Sequence, residues 1–66
     1  MKNTIRVERA ILDMTQQQLA DAIGVSRNTI NSIESGKYVP STVLALKIAR
    51  YFGKPTDSIF ELDEND

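Results

Sequence analysis

The chain has 66 residues, a formal net charge of −1 at pH 7, and neither cysteine nor histidine. A chain of this length folds as one domain with a small core, which leaves no room for a second lobe or a deep substrate cleft. Because cysteine and histidine are absent, a disulfide is excluded and neither a metal nor another cofactor is expected. A partner subunit is the most available source of extra stability.

The same composition limits the location and the class of activity. No apolar run is long enough to span a membrane, and the opening residues Met1-Lys2-Asn3-Thr4 do not resemble a secretion signal. We therefore expect a cytoplasmic protein with no membrane partner. We expect no enzyme, because the chain also lacks a glycine-rich phosphate loop.

Charge is distributed unevenly along the chain. Residues 57–66 contain five of the nine acidic residues, whereas residues 1–56 carry all eight basic residues against four acids, a net charge of about +4. An acidic tail that only aids solubility is one interpretation. The basic body remains compatible with a polyanionic partner, because the local charge distribution governs such binding.

Apolar residues recur with helical spacing almost throughout, which predicts an all-α domain. A first helix is predicted over roughly residues 4–12. Thr15 and Gln18 fit a capping box, which begins a second helix that ends at Gly24. The chain reads as a single domain, residues 1–66.

Serine caps and glycine ends define the remaining helices. Ser26 is predicted to cap a third helix, which ends at Gly36 in a left-handed conformation. Ser41 caps a fourth, closed by Gly53, and a one-turn helix follows near residues 55–60. The fourth helix is expected to turn inward Leu44, Ala45, Ile48, Ala49 and Phe52.

Two interpretations are open for the structure of the chain ends. Lys2–Ile5 and Phe60–Leu62 can pair as a short two-stranded ribbon, and the alternative is two separate ends. In either case the compact core covers residues 4–60, and residues 61–66 form the acidic tail.

The stretch around Gly24 predicts a sharp corner between two helices. Gly24 tolerates a positive φ, Val25 is expected to fill the turn as a buried plug, and Ala20 is small where the helices approach. Ile30 packs back from the other side. This spacing predicts a helix-turn-helix, and a plain helical hairpin is the alternative.

The outer face of the third helix is polar, short-chained and almost free of acids. At about 100° per residue, Asn28, Asn31, Ser32 and Ser35 lie furthest from the apolar stripe. A solvated helix usually carries Glu and Lys instead. Since Asn pairs with adenine, Arg with guanine and Ser with either, we predict four base-reading residues: Arg27, Asn28, Asn31 and Ser32.

Other polar groups suit the phosphate backbone of DNA. The free amides and the dipole at the start of the second helix favour an anion, and a second cluster follows the third helix. The predicted phosphate contacts are Gln16, Gln17, Ser26, Ser35, Lys37 and Tyr38. The alternatives are a solvated Gln16, a Tyr38 that packs on the connector, and an idle surface Lys37.

The segment "TQQQLADAIGVSRNTINSIESGKYVPS" closely resembles the lambda-repressor/Cro-like, or XRE-family, DNA-binding domain. The resemblance spans about residues 4–60. The matching elements are Thr15-Gln16, Leu19-Ala20, Gly24-Val25-Ser26, Ile30 and Glu34-Ser35-Gly36. It implies a five-helix bundle whose third helix enters the major groove, usually as a homodimer on a pseudo-palindromic operator.

The resemblance also implies roles for single residues. The family's phosphate-contacting glutamine corresponds to Gln16, and its base-reading positions correspond to Arg27, Asn28, Asn31 and Ser32. Arg27 departs from the glutamine of several phage repressors, so the operator sequence is not carried over. Arg9 and Glu34 correspond to a structural ion pair that ties the first helix to the end of the third.

Helix four and the carboxyl-terminal segment carry more apolar surface than one core requires. A self-complementary surface would cover it, and scattered exposed residues are the alternative. The predicted dimer interface consists of Val43, Leu46, Tyr51, Phe60 and Leu62.

Together these features predict a transcriptional regulator, most simply a repressor, whose partners are a double-stranded DNA operator and a second copy of the chain. No small-molecule effector domain is expected, because the helices account for nearly the whole chain. The alternative function is an antitoxin or accessory protein-interaction module with the same fold.

Overall fold

The computed structural model describes residues 1–66. It contains five helices and one two-stranded ribbon: β1 Lys2–Asn3, α1 Ile5–Ile11, α2 Gln16–Ile23, α3 Arg27–Glu34, α4 Thr42–Phe52, α5 Thr56–Ile59 and β2 Phe60–Glu61. The all-α architecture and the terminal ribbon confirm the fold predicted from the sequence. None of the five helices combines the length and the apolar composition that crossing a lipid bilayer requires.

Hydroxyl side chains begin the three longest helices. The Thr15 hydroxyl accepts from the Gln18 backbone N–H, and the Gln18 side chain accepts from the Thr15 N–H, which completes a capping box at the start of α2. Ser26 and Ser41 accept a backbone N–H in the same way at the starts of α3 and α4. These contacts fix the positions at which the helices begin.

Two left-handed glycines define the limits of α3. Gly24, with φ of 86°, ends α2, and its N–H donates to the Ala20 carbonyl at 2.8 Å. Gly36, with φ of 79°, follows α3. Asp13 also has a positive φ, 54°, in the turn between α1 and α2, a position that no glycine signal marked in the sequence.

The core is built from the inner faces of all five helices and from β2. Its buried apolar side chains are Ile5, Leu19, Ala20, Ile30, Ile33, Ile48, Ala49, Ile59 and Phe60. The fully buried Ala20 allows α2 and α3 to approach closely, and Ile30 fills the space opposite it. Val25 packs against this cluster from the turn while it stays partly exposed.

The ribbon joins the two chain ends in an antiparallel pair, with Lys2 opposite Glu61 and Asn3 opposite Phe60. Phe60 is only 7 % exposed and packs in the core, and it also borders a surface groove together with Leu46 and Leu62. Its place in a dimer interface therefore stays a prediction. Glu61 lies within β2, so the ribbon includes the first residue of the predicted acidic tail.

The residues beyond β2 fold back on the amino terminus. The α-amino group of Met1 lies 3.2 Å from a carboxylate oxygen of Asp63 and 3.2 Å from one of Asp66. These contacts raise the pKa of the amino group, with the hydrogen bond to Asp63 as the largest cause. The acidic tail is therefore partly neutralised by the chain's own terminus.

Candidate nucleic-acid interface

The outer face of α3 is open to solvent at its amino-terminal end. Arg27, Asn28 and Asn31 are exposed, and Ser32 is partly buried. The inner face of the same helix places Ile30 in the core with no exposed surface. Burial of this inner face fixes the helix's rotation, so the side chains predicted to read bases are turned outward.

Tyr38 and Ser32 connect the far end of this face to the segment after α3. Tyr38 borders a shallow depression of about 310 Å³ together with Asn28, Thr29 and Ser32. The backbone N–H groups of Lys37 and Tyr38 both donate to the Ser32 carbonyl, at 2.9 and 3.2 Å. Tyr38 therefore lies beside the outer face of α3 and remains exposed there.

The two other serines of this region hydrogen-bond within the helix. The Ser26 hydroxyl accepts from the Thr29 N–H at 3.1 Å and lies 2.9 Å from the Thr29 hydroxyl. The Ser35 hydroxyl donates to the Ser32 carbonyl at 3.2 Å. Both serines remain exposed, so their role as phosphate contacts stays a prediction.

Gln16 and Gln17 differ in their surroundings. The Gln16 amide nitrogen Nε2 lies 3.2 Å from Asn31 Oδ1 and 3.3 Å from Glu34 Oε1, so Gln16 links α2 to α3. The Gln17 amide donates to Asp21 Oδ1 at 2.8 Å and is exposed. Gln16 is thus more than a solvated first-turn residue, although its contact with phosphate is still untested.

An ion pair ties α1 to the end of α3. Arg9 donates to Glu34 twice, from Nε to Oε2 at 2.6 Å and from Nη2 to Oε1 at 3.0 Å. The remaining Arg9 nitrogen Nη1 donates to the Met14 carbonyl at 2.8 Å. Glu34 raises the pKa of Arg9 through these hydrogen bonds. Because the Glu34 side chain is 2 % exposed, it serves the scaffold and does not present a charge to a ligand.

Comparison with known proteins agrees with this geometry. A family model described as Helix-turn-helix matches residues 5–59. The chain belongs to the helix-turn-helix family. The resemblance noted in the sequence is thereby confirmed over nearly the whole chain.

Helix-turn-helix proteins from several organisms are similar to this chain. An HTH-type transcriptional regulator of Methanocaldococcus jannaschii is 47 % identical over 66 residues, which covers 100 % of both chains. The HTH-type transcriptional regulator YgzD of Bacillus subtilis is 42 % identical over 64 residues, 97 % of each chain. The cryptic phage CTXphi transcriptional repressor RstR of Vibrio cholerae is 35 % identical over 65 residues, 91 % of this chain and 56 % of that one.

Sequence reasoning missed one cation beside the helix-turn-helix unit. The Arg6 side chain is 80 % exposed, and its Nε lies 3.9 Å from Glu34 Oε1. Arg6 precedes Arg9 by three residues, a spacing that puts both on one face of α1. That spacing was a usable signal that a second cation lies near the Glu34 carboxylate, which Gln16 also contacts.

A second missed contact joins the helix-turn-helix unit to the ribbon. The Asn3 amide nitrogen Nδ2 donates to the Ile33 carbonyl at 2.9 Å, and Asn3 Oδ1 accepts from the Ile5 N–H at 3.2 Å. One side chain thus satisfies the start of α1 and a carbonyl near the end of α3. No local pattern in the sequence indicates this contact.

The surface predicted for a dimer divides into two parts in the structure. Leu46, 53 % exposed, and Leu62, 73 % exposed, border one groove of about 370 Å³ together with Met1 and Val39. Tyr51 borders a different groove between α2 and α4, which shares no residue with the first. We call the first groove, with its rim residues Val39, Leu46 and Leu62, the α4 groove. Val43 is exposed but borders neither groove.

Proposed function

We propose that this chain is a DNA-binding transcriptional regulator that acts as a repressor. It binds a pseudo-palindromic double-stranded operator as a homodimer and inserts α3 into the major groove. The observation that carries the proposal is the outer face of α3, where Arg27, Asn28 and Asn31 are exposed and the helix's one acid, Glu34, is buried in an ion pair.

The size and chemistry of this face suit the major groove. A helix of eight residues is about 12 Å long, and B-DNA admits a helix into a major groove of about 12 Å width. Amide and guanidinium side chains recognise the base edges there. The absence of an exposed carboxylate on the face avoids repulsion by phosphate.

Candidate phosphate contacts surround the outer face of α3. Gln16 and Gln17 lie at the start of α2, the exposed Arg6 lies in α1, and Lys37 and Tyr38 follow α3. Such contacts fix register and carry no sequence information themselves. Their placement supports a docking mode in which the backbone contacts flank the bases that α3 reads.

The relatives' names support regulation of transcription, and RstR is named a phage repressor. A homodimer is supported by the α4 groove, whose apolar rim is more than half exposed at Leu46 and Leu62. Two copies related by a two-fold axis would cover this rim and would present two reading helices to one operator.

Selection of bound duplexes from a random pool tests the proposal. We expect enrichment of a two-fold motif whose half-sites are centred about 10 base pairs apart, one helical turn. Asn28→Ala should lower operator affinity by about 1–3 kcal/mol and leave non-specific binding unchanged.

Asn65→Ala is the matched control, because this asparagine is exposed in the tail. It should bind the selected operator as the unsubstituted protein does. A pool from which no sequence is enriched would contradict the proposed function.

A further inference from the structure

We propose that Gln16 is a positioning residue that fixes which edge of the Asn31 amide faces the DNA, and thereby selects the class of base that Asn31 reads. The inference rests on the proposed function and deepens it. It follows from a chain of hydrogen bonds that runs from the buried Arg9–Glu34 ion pair through Gln16 to the surface.

The first step is the orientation of the Gln16 amide. The Glu34 carboxylate is held by two hydrogen bonds from Arg9, and an ionised carboxylate only accepts. Gln16 therefore turns its donor, Nε2, towards Glu34 Oε1 at 3.3 Å. The reversed amide would set an oxygen against the carboxylate with no proton between them. Glu34 thus removes the freedom of the Gln16 amide to flip.

The second step is the orientation of the Asn31 amide, which follows from that of Gln16. The same Gln16 Nε2 lies 3.2 Å from Asn31 Oδ1, so Asn31 presents its oxygen to Gln16. Its nitrogen Nδ2, a donor with two hydrogens, is then the atom turned away from Gln16. Because Asn31 is exposed, this donor is the edge that a base would meet.

The third step is the match with base edges in the major groove. Guanine offers two acceptors, N7 and O6, whereas adenine offers one acceptor, N7, beside an amino donor, and cytosine offers only an amino donor. The bidentate pair of asparagine with adenine needs the asparagine oxygen to accept from the adenine N6 amino group. In this chain that oxygen is turned towards Gln16, so the base meets the outward Nδ2, which finds two acceptors on guanine and one on adenine. We therefore expect Asn31 to select guanine over adenine and cytosine.

A positioning role and a phosphate-contacting role of Gln16 predict different results when Gln16 is substituted. Loss of a phosphate contact weakens binding to all duplexes about equally. Loss of positioning frees the Asn31 amide to rotate, which admits adenine at one base pair in each half-site. The distribution of bases at that one pair is therefore a readout that a merely structural or electrostatic role does not change.

The test is selection from a random duplex pool with four variants beside the unsubstituted protein. Asn31→Ala first locates the base pair that loses its preference. At that pair we expect the unsubstituted protein to prefer guanine over adenine by about fivefold, which corresponds to one hydrogen bond. Gln16→Met should bring guanine and adenine within about twofold of each other. Gln17→Met, which removes the neighbouring amide and its predicted phosphate contact, should leave the base preference unchanged even where total affinity falls.

Asn31→Asp provides a second test that does not depend on Gln16→Met folding well. Aspartate keeps an oxygen for Gln16 and replaces the outward donor with an acceptor. The preference at the located pair should then change to cytosine or adenine, whose amino groups donate. Total affinity should fall as well, because a carboxylate is added near phosphate.

Three results overturn the inference while the proposed function stands. They are a preference for adenine in the unsubstituted protein, an unchanged motif in Gln16→Met with weaker binding to every duplex, and an unchanged base preference in Asn31→Asp. A pool with no enriched motif for the unsubstituted protein would instead overturn the proposed function, and this inference with it.

Discussion

Helices α3 and α4 are built alike on the inside and differ on the outside. Each is capped by a serine and followed by a glycine of positive φ, and each buries an isoleucine completely, Ile30 in α3 and Ile48 in α4. The outer face of α3 carries short amides and hydroxyls, whereas that of α4 exposes Val43 and Leu46. Caps and inner faces determine that both helices form. The outer faces are free of that constraint and can serve the different partners proposed for them, DNA for α3 and a second copy for α4.

Both helices are also tied to α1 by neighbouring residues. Arg9 pairs with Glu34 at the end of α3, and Glu8 accepts from Lys54 Nζ at 2.8 Å just beyond α4. The first pair is bidentate and its carboxylate is almost fully buried, whereas the Lys54 side chain is nearly half exposed. The two ties should therefore differ in strength.

Removing one partner from each tie should show this difference most strongly. Glu34→Ala leaves the Arg9 guanidinium partly buried and unpaired, so we expect a loss of about 3–5 kcal/mol in the free energy of unfolding. Glu8→Ala should lose about 1 kcal/mol from its ion pair, because the Lys54 ammonium that it leaves behind is nearly half exposed and is solvated by water. Urea denaturation monitored by circular dichroism measures both. Equal losses would show that burial does not set the strength of these pairs.

The similar burial of the inner faces of α3 and α4 can be tested directly. Ile30→Ala and Ile48→Ala each empty a fully buried site, and each should lower the free energy of unfolding by about 2–5 kcal/mol. The same urea titrations give both values. A loss well below this range for Ile30 alone would indicate that α3 is loosely held and that its rotation is not fixed by the core.

The outer face of α4 should govern self-association. Leu46→Glu should weaken the proposed dimer by about 2 kcal/mol, because each copy loses a buried leucine and gains a carboxylate at an apolar surface. Sedimentation equilibrium measures this change. Val7→Glu is the matched control, an exposed apolar residue of α1 that does not border the α4 groove. If both variants associate like the unsubstituted protein, the α4 groove is not the dimer surface.

A lysine beside α3 and a lysine on α4 should differ in their effect on DNA binding. Lys37→Ala, next to α3, should weaken binding to all duplexes and make the slope of log affinity against log salt shallower by about 0.9, one phosphate contact. Lys47→Ala, on the exposed side of α4, should leave the slope unchanged. Binding titrations over a range of salt concentrations provide the slopes. Equal slopes for the two variants would mean that the contacts are not confined to the α3 side.

The features predicted best from the sequence have local signals. The capping box of Thr15 and Gln18 and the corner at Gly24 each occupy a few consecutive residues, so helix limits and the exposed face of α3 followed from them. The burial of Phe60 had no such signal, because a two-residue strand is too short to show alternation. The inward direction of this residue depends on pairing with β1 at the other end of the chain.

Contacts between distant residues had no such signal. Gln16 and Asn31 are 15 positions apart and Met1 and Asp63 are 62 apart, so nothing in either segment alone indicates that they meet. Both contacts depend on the completed packing of α2 on α3 and of the ribbon on the core. The hydrogen-bond polarity of the outer face of α3 is therefore a property of the fold, although the exposed residues of that face were predicted from the sequence.

The smallest expected effect is a dependence on pH, which should arise at the chain ends and leave the outer face of α3 unaffected. Met1 borders the α4 groove, and its amino group pairs with Asp63 and Asp66. These hydrogen bonds raise the pKa of the amino group above 8.0. Its contribution to the free energy of unfolding is therefore complete below pH 8.0 and is lost as the pH rises through the raised pKa. The pKa of Asp63 is lowered below 3.8, first by the Asn65 N–H and then by the amino group, so the contribution of Asp63 to the free energy of unfolding is lost only in acid. Raising the pH above 8.0 should therefore slightly lower the free energy of unfolding, measured by urea denaturation, and leave the base preference of α3 unchanged. Asp63→Asn should reduce the pH dependence, and an equal dependence in this variant would assign it to another group.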